Sequence, residues 1–571
     1  MQSCMFNVNS LNMRIFIAAM ALAVVFSVSG QSIDRGLIAQ KAMVVSARAE
    51  ASQIGVDILK KGGNAFDAMI ATDLALAVSF PFAGNIGGGG FMVYRLKDGS
   101  YGSLDYREKA PASAHRDLYL DQNGEVIPQK STLGATAVGV PGTVAGLYAV
   151  HQKFGTLPWK DLVQPAIDLA RKGIVVTKRQ AQSLAGSRDL IIRVNHPGSL
   201  YAQTYEAGDN LKNPALARTL SVIAQKGKDG FYRGEVAEKM TQLIQNQGGY
   251  ITLEDLQNYS AVWRKPIVFP YKDLNIISMS PPSSGGVTLA QMFGMLRQQS
   301  FDSLSGWDSN SIHASVEVAR RAYADRNYYL GDPDFVDIDI AALTSPNYLA
   351  SRISTFKVDR ATPSAAVGHG QPQTLESDQT THYSIVDAQG NAVAVTTTLN
   401  GAYGSKLFSD ELGMFFNNEM DDFSAKAGVP NMFGLIGAAA NEIAPGKRML
   451  SSMTPTIVER DGKLWAVVGT PGGSTIISAV FQTILSLRDF GMGMQEAVNA
   501  PRFHHQWLPD VLIMEPDRFS PAMIESLQNM GHQVNQQQSR IIGKVDAILV
   551  LKDGSLEAGA DPRGDDAARG F

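Results

Sequence analysis

Two runs of strand-forming residues, separated by a short loop, form the clearest pattern in the chain. The runs lie within residues 378–387 and 391–400 and are rich in Thr and Val, types that are enriched in β-strands. Asp387 opens the loop, and Gly390 ends it just before Asn391. This composition is typical of a type I turn closed by a left-handed glycine. The pattern therefore predicts a β-hairpin.

The length of the loop also predicts the register of the hairpin. If Asp387 and Asn391 form the pair that flanks the loop, pairing outward along both strands places Thr380 opposite Thr398. Directly opposed side chains have Cβ atoms roughly 4.5–5.5 Å apart. Threonine pairs are also common in ordinary strands, so the hairpin alone leaves structural and chemical interpretations open. The same face carries three more polar side chains, His382, Ser384 and Thr396.

Helical periodicity dominates much of the chain before the hairpin. Apolar residues within 45–80 predict two helices separated by a Lys-Lys-Gly-Gly turn, with Asn64 as the cap of the second. A strand is expected at 91–95, and residues 140–355 are predicted to be mostly helical. Further expected features are a helix start at Thr252, a loop at 281–286 before a helix to about Leu296, and a helix from Val316 to Leu330. Residues 355–379 are polar and predict a linker. The sequence alone thus supports only a mixed α and β fold.

Two motifs suggest ligand chemistry that their contexts do not support. The glycine run 87–90 precedes a predicted strand, without the Gly-Lys-Ser/Thr of a phosphate-binding loop. We therefore expect close backbone packing near a site instead. His504 and His505 are adjacent, so on a strand they point to opposite faces, and no metal-ligand spacing accompanies them. We expect neither a catalytic metal nor another cofactor.

The first 30 residues have the organisation of a secretory signal. They contain no acid and one base, Arg14, followed by an apolar run at 15–26 and small residues at 28–30 that suit cleavage before Gln31. The run is shorter than the roughly 20 residues of a membrane span. We therefore expect a periplasmic or secreted protein with no stable membrane anchor.

Composition adds constraints on size, charge and redox chemistry. The chain has 571 residues, of which 44% are hydrophobic, so it can bury a large core, and its length would allow three or four domains. Its net charge of −4 gives no indication of nucleic-acid binding. The single cysteine, Cys4, lies within the first 30 residues, and a start at Met13 instead of Met1 would leave it out of the protein altogether. The mature chain therefore has no thiol or disulfide chemistry.

Several ordered motifs, from about residue 43 to the end of the chain, identify a family resemblance. They are GVDILKKGGNAFDAMIAT, AGNIGGGGFMVYR, LDYREKAPA, SPPSSGG, DQTTHYSIVDAQGNAVAVTTTLN, FFNNEMDDFSAKAGVPN, KRMLSSMTPTIV, GTPGGS and NAPRFHHQWLPD. Together they resemble the γ-glutamyltranspeptidases, which are N-terminal nucleophile hydrolases. The resemblance implies an α+β fold, the four-layer αββα sandwich. It also implies self-cleavage between Gln379 and Thr380, giving a large subunit, 31–379, and a small subunit, 380–571, in one interwoven body.

The resemblance further implies roles for particular residues. Thr380 would be the nucleophile and Thr398 its orienting partner, and Gly472 and Gly473 would form an oxyanion hole. The residues implied for the substrate α-carboxylate are Arg107, Ser451 and Ser452. Those implied for the α-ammonium are Asn400, Glu419 and Asp422.

Local sequence allows simpler interpretations of the charged groups. Arg107 beside its acidic neighbours could form a surface salt bridge, and the acids at 417–422 could belong to a solvated turn or a metal site. Some relatives carry Gln at the position of Glu419. Residues 427–435 resemble the lid over the site, with Phe433 where many bacterial relatives have Tyr, which leaves the hydrogen bonding of the lid in doubt.

The expected chemistry follows from a threonine at a chain start. Cleavage before Thr380 would give it a free α-amine, with a pKa of about 7.7–8.0, as its own base. The hydroxyl would attack the γ-carbonyl of glutathione or a related compound, and water, an amino acid or a dipeptide would accept the γ-glutamyl group. One alternative is a glutaryl-type cephalosporin acylase. Another is a secreted, unprocessed protein that only binds γ-glutamyl compounds.

Overall fold

A computed structural model describes residues 35–298, 306–369, 380–426, 438–537 and 541–571. The expected signal peptide, Gln379 of the expected cleavage site, and the expected lid at 427–435 with Phe433 lie outside these residues. Among the residues that the structure describes, no helix is both long enough and apolar enough to cross a membrane.

The predicted hairpin and its register are confirmed. Strands Thr381–Val386 and Ala392–Thr398 are antiparallel, with Thr381 paired to Thr397. In the turn, the Asp387 N–H donates to the Asn391 carbonyl at 3.0 Å, and Gly390 has a φ of +88°. That φ is a left-handed conformation that glycine adopts without steric cost. The same register, continued by one residue, places Thr380 opposite Thr398.

The hairpin lies at the centre of a seven-stranded sheet, and a second seven-stranded sheet packs against it. All neighbouring strands in both sheets are antiparallel. The order in the hairpin sheet is Ala567–Gly570, Met43–Ser46, Thr381–Val386, Ala392–Thr398, Gly89–Arg95, Tyr101–Asp105 and Val262–Arg264. The order in the second sheet is Ile38–Ala39, Leu556–Gly559, Ala547–Val550, Lys463–Val468, Thr456–Arg460, Leu274–Ser278 and Ile267–Tyr271.

Helices cover the outer faces of both sheets, which completes the expected four-layer αββα sandwich. On the hairpin sheet lie Ala49–Lys60, Ala65–Ser79 and Thr143–Phe154. On the second sheet lie Gly285–Gln298, Thr475–Arg488 and Met494–Asn499, and Ser309–Tyr329 packs outside the first of these. The other helices are Trp159–Lys172, Lys178–Val194, Pro214–Lys226, Asp229–Tyr232, Gly234–Asn246, Leu253–Gln257, Ile340–Leu343, Pro346–Ile353 and Pro521–Asn529. Short strand pairs or triplets are formed by Ile174–Val175 and Asn210–Leu211, by Phe408–Ser409 and Met414–Phe415, and by Phe503–His504, Leu512–Met514 and Val534–Asn535.

Most helix boundaries follow their capping signals. Asn64 accepts hydrogen bonds from the Phe66 and Asp67 N–H groups, and Thr252 accepts one from the Asp255 N–H, as the capping patterns predicted. The helix predicted from Val316 begins earlier, at Ser309, because Asp308 caps it. Five strands also occur within the described part of the mainly helical region 140–355, two of them only two residues long.

The inner face of the hairpin is polar, and its groups are paired with one another. His382 Nδ1 lies 2.9 Å from Thr396 Oγ1, and His382 Nε2 lies 3.1 Å from Ser384 Oγ. Ser384 in turn donates to the Asp546 carbonyl at 2.9 Å, which ties the two sheets together. Burial lowers the pKa of His382 to about 3. The imidazole is therefore neutral at physiological pH.

The outer face of the hairpin contacts a buried acid that should make stability depend on pH. The Tyr383 hydroxyl donates to Asp73 Oδ2 at 2.7 Å, and burial raises the pKa of Asp73 from 3.8 to about 7. The folded protein keeps this proton to higher pH than the unfolded chain, so stability falls as pH rises through that range. We expect Asp73→Asn to be stabilising at pH 8 and to lose this advantage at pH 4.

Chemical denaturation at both pH values would measure this effect, because one such group changes the free energy of unfolding by about 1.4 kcal/mol per pH unit. Asp57→Asn, an exposed change on the preceding helix, is the control. A stability difference between Asp73→Asn and wild type that does not change with pH would contradict the assignment.

Candidate active site

One cleft opens at the end of the hairpin that carries Thr380. It gathers residues that are distant in sequence and come from both sides of the expected cleavage site. The predicted site residues in its wall are Arg107, Thr380, Thr398, Asn400, Glu419, Asp422, Ser451, Ser452 and Gly473. Gly472 is adjacent in sequence to the last of these. Gln379 lies outside the described residues.

Thr380 and Thr398 are both buried at the floor of the cleft. The Thr398 hydroxyl accepts a hydrogen bond from the Asn400 N–H at 2.8 Å. Asn400 has a φ of +70°, which turns the chain out of the strand, and its side chain donates to the Asn418 carbonyl at 3.0 Å. These contacts fix the end of the second hairpin strand beside Thr380.

The glycine run packs against this strand end, as the sequence predicted. A Cβ on Gly88 or Gly90 would overlap the carbonyl oxygen of Thr398 or Thr396. Asn85, just before the run, donates to the Thr398 carbonyl and accepts from the Gly88 N–H, both at 2.8 Å. The glycines therefore allow the close backbone approach that supports the floor of the cleft.

Arg107 is almost fully buried and forms ion pairs with Glu419 and Asp422. A third carboxylate, Glu108, lies 3.7 Å from the same guanidinium. Residues 419–422 form a 3-10 turn that brings the two distant acids to Arg107. The arginine is therefore not a surface salt bridge, and the acids are not a solvated turn.

Burial and the shared cation act on the pKa values of this cluster in opposite directions. Burial raises the pKa of the Glu419, Asp422 and Glu108 carboxyls, and the Arg107 charge only partly offsets it. For Glu108 the pKa rises to about 7. Burial alone would lower the pKa of Arg107, but the surrounding carboxylates outweigh it and raise the pKa overall. Arg107 is therefore always charged, and its three acids compete for one cation.

The wall of the cleft also carries the predicted serines, Ser451 and Ser452, together with Arg326, which the sequence did not indicate. Ser451 Oγ accepts from the Met453 N–H at 3.2 Å, so its own proton is available for donation. Ser452 Oγ accepts from Arg326 Nη2 at 2.9 Å, and Arg326 Nε donates to Ser284 Oγ at 3.0 Å. Arg326 thus adds a second guanidinium to the cleft. The only sequence signal for it is a helix with charged residues on every side.

The loop 470–474 leads from a strand of the second sheet into the helix Thr475–Arg488. Gly472 and Gly473 have φ values of +138° and +56°, which other residues rarely adopt. The loop therefore presents backbone at the cleft, next to a helix N-terminus, whose partial positive charge favours anions.

The adjacent histidines are not part of the cleft wall, and they have different partners. His504 Nδ1 lies 2.8 Å from Ser478 Oγ, whereas His505 Nε2 lies 3.1 Å from Asp510 Oδ1. In the described part of the chain, no group of three or more His, Cys, Asp or Glu residues is arranged to hold a metal ion.

Comparison with known proteins connects this site to one family. The family model of γ-glutamyltranspeptidase matches residues 51–571. The glutathione hydrolase proenzyme of Escherichia coli strain K12 is 45% identical over 538 residues, covering 93% of this chain and 92% of that protein. The glutathione hydrolase proenzyme of Pseudomonas aeruginosa is also 45% identical, covering 90% of this chain and 91% of that protein.

Two solved structures are also similar to this chain. The crystal structure of Helicobacter pylori γ-glutamyltranspeptidase is 40% identical with a TM-score of 0.56, covering 61% of this chain and 99% of that chain. The Bacillus halodurans cephalosporin acylase superposes with a TM-score of 0.83, covering 96% of this chain and 98% of that chain. At 24% identity it supports the fold alone. The chain belongs to the γ-glutamyltranspeptidase family.

Proposed function

We propose that this protein is a self-processing γ-glutamyltransferase and glutathione hydrolase. It cleaves the γ-glutamyl amide of glutathione and related compounds through a γ-glutamyl ester on Thr380. The observation that carries this proposal is the cleft itself, in which Thr380 lies with a buried arginine and two acids that pair with it. A γ-glutamyl group carries both an α-carboxylate and an α-ammonium, so it needs charges of both signs near the nucleophile.

Substrate binding would exchange one set of ion pairs for another. The α-carboxylate would take the place of the acids on Arg107, whose planar fork suits a carboxylate, with Ser451 and Ser452 as hydroxyl donors. Glu419 and Asp422, released from Arg107, would receive the α-ammonium together with Asn400. Because the substrate brings one charge of each sign, the exchange leaves the net charge of the buried cluster unchanged. A ligand with only one of these charges would change the net charge of the buried cluster.

The chemical steps would use groups of the chain alone. The free α-amine of Thr380 takes the hydroxyl proton while Oγ attacks the γ-carbonyl. The Gly472 and Gly473 N–H groups stabilise the oxyanion, and Thr398 orients the hydroxyl. The amine then protonates the leaving group. Water, or the amine of an amino acid or dipeptide, resolves the ester.

Maturation would use the same hydroxyl on the preceding peptide. Thr380 Oγ would attack the Gln379 carbonyl to form an ester that water hydrolyses, which separates subunits 31–379 and 380–571. Strands from both subunits form both sheets, so the two chains would stay together after the cut. With residues 1–30 as a signal peptide, the enzyme would act in the periplasm or outside the cell.

Denaturing electrophoresis and a turnover assay on the purified protein test this proposal together. We expect two chains, the smaller beginning at Thr380 by N-terminal sequencing, and release of p-nitroaniline from γ-glutamyl-p-nitroanilide. Adding glycylglycine should increase the release if a dipeptide amine accepts the γ-glutamyl group. A fully active single chain would contradict the mechanism, and two chains without turnover would contradict the substrate.

A further inference from the structure

Two threonine hydroxyls hold the peptide groups that would form the oxyanion hole. Thr470 Oγ1 donates to the Pro471 carbonyl at 2.7 Å, and Thr475 Oγ1 donates to the Gly472 carbonyl at 2.7 Å. A carbonyl and the N–H of the next residue belong to one planar peptide group and point in opposite directions. The first bond therefore orients the Gly472 N–H, and the second orients the Gly473 N–H.

The hydrogen bond of Thr470 has a defined direction. The Lys544 N–H donates to Thr470 Oγ1 at 2.6 Å, so the threonine proton is directed to the Pro471 carbonyl. Thr470 is fully buried. The Lys544 N–H thus donates to the Thr470 hydroxyl, and the Thr470 hydroxyl donates to the peptide group that carries the Gly472 N–H.

The segment that supplies this donor is itself held in place. Gly543 has a φ of +72°, and a Cβ there would lie 2.6 Å from Thr470 Oγ1. Arg502 donates to the Gly543 carbonyl at 2.9 Å and pairs with Asp561 at 2.8 Å. The threonine therefore rests against a fixed backbone rather than a free loop.

Such support matters because the loop is built from glycines. Gly472 and Gly473 have no side chain to restrict their dihedral angles, so their peptide groups could rotate and replace an N–H with a carbonyl oxygen. An oxyanion hole works because its donors are already oriented before charge develops. A hydrogen bond to the carbonyl end of a peptide also polarises its N–H and strengthens it as a donor.

We propose that Thr470 and Thr475 are positioning residues that orient the Gly472 and Gly473 N–H groups toward the developing oxyanion. The inference rests on the proposed function, because it assumes that these amides face the reacting carbonyl. Neither threonine touches the substrate in this scheme. Each acts through the peptide group that accepts its hydroxyl.

Thr470→Val and Thr475→Val remove one hydroxyl each at nearly constant volume. Thr470→Ser and Thr475→Ser keep the hydroxyl and serve as rescue variants. Thr483→Val, in the same helix as Thr475, removes a comparable bond from Thr483 Oγ1 to the Ala479 carbonyl, at 2.8 Å, and is the matched control. If Thr470→Val fails to fold because the Lys544 N–H loses its acceptor, Thr475→Val still tests the idea.

We expect each valine variant to lower kcat/KM for γ-glutamyl-p-nitroanilide by about 3- to 10-fold, the effect of one hydrogen bond. The smaller loss should occur at Thr475, because the Gly472 carbonyl also accepts from the Thr475 N–H at 3.0 Å. Inhibition by a γ-boronic acid analogue, which forms a tetrahedral adduct with the nucleophile, should weaken by the same factor. Inhibition by norvaline, which keeps the α-ammonium and α-carboxylate but has no γ-carbonyl oxygen, should not change. The serine variants and Thr483→Val should behave as wild type.

Two results would overturn the inference while the proposed function stands. One is wild-type kcat/KM in the valine variants, and the other is equal weakening of boronate and norvaline inhibition. If the wild type itself shows no γ-glutamyl turnover, both the proposed function and this inference fail.

Discussion

Replacing Thr380 with alanine should leave the protein as one chain with essentially no γ-glutamyl turnover. In the proposed mechanism one hydroxyl performs both the self-cleavage and the attack on the substrate, so its loss stops both reactions. Removal of a nucleophile typically reduces turnover by about four orders of magnitude or more. Electrophoresis and p-nitroaniline release from γ-glutamyl-p-nitroanilide measure the two effects on the same preparation.

Thr380→Ser is the matched control for this experiment. It keeps a hydroxyl and loses one methyl group, so we expect two chains and measurable, though slower, turnover. The alanine variant should keep its secondary structure and unfold cooperatively on heating, which would show that it is a folded but unprocessed precursor. Cleavage before residue 380 in the alanine variant would mean that another protease makes the cut.

The hairpin was predictable because its information is local. The Asp and Gly of the turn fix the loop length, and alternation in each strand fixes which side chains share a face. The pairing of Thr381 with Thr397 follows from these features alone. The helix caps at Asn64 and Thr252 were predictable for the same reason, since each is a bond between residues three or fewer apart.

Features set by distant contacts were not predictable in the same way. The strand Ile267–Tyr271 lies at the edge of its sheet and contains Pro270, a residue that weakens strand patterns and is tolerated at edges. The buried helix Ser309–Tyr329 carries Arg326, whose partners Ser284 and Ser452 lie on other segments. No local period could indicate that this arginine reaches the cleft.

The ion pairs of Arg107 illustrate the same limit within the site. The family resemblance assigned Arg107 to a carboxylate and the acids to an ammonium, and both assignments stay predictions. The structure adds that these groups pair with one another. This arrangement explains how a buried cation and buried acids remain compatible with folding, because isolated buried charges would cost far more than paired ones.

The choice between a γ-glutamyl enzyme and a glutaryl acylase depends on the α-ammonium. A glutaryl group carries the carboxylate without the ammonium, so Arg107, Ser451 and Ser452 would serve either substrate. In the proposed mechanism, Glu419 and Asp422 would have a binding role only when the ammonium is present. Their place beside Arg107 in the cleft is the physical reason to prefer the γ-glutamyl substrate.

Asp422→Ala should therefore impair γ-glutamyl turnover selectively. Loss of one partner of a desolvated charge pair costs about 2–5 kcal/mol, which corresponds to roughly 30- to several-thousand-fold in kcat/KM. Turnover of a matched glutaryl anilide should fall much less, because Arg107 keeps Glu419 as a partner and stays available for the carboxylate. Kinetics on the γ-glutamyl and glutaryl anilide pair measure the difference directly.

Asp421→Ala provides the matched control, because this acid lies on the same turn but accepts from Ser131 Oγ at 2.6 Å, outside the wall of the cleft. It should change turnover of the two anilides by the same factor. Equal losses on both anilides for Asp422→Ala would mean that Asp422 only holds Arg107 in place. The α-ammonium would then have to be recognised by Glu419 and Asn400, and the preference for a γ-glutamyl over a glutaryl substrate would lose its main structural support.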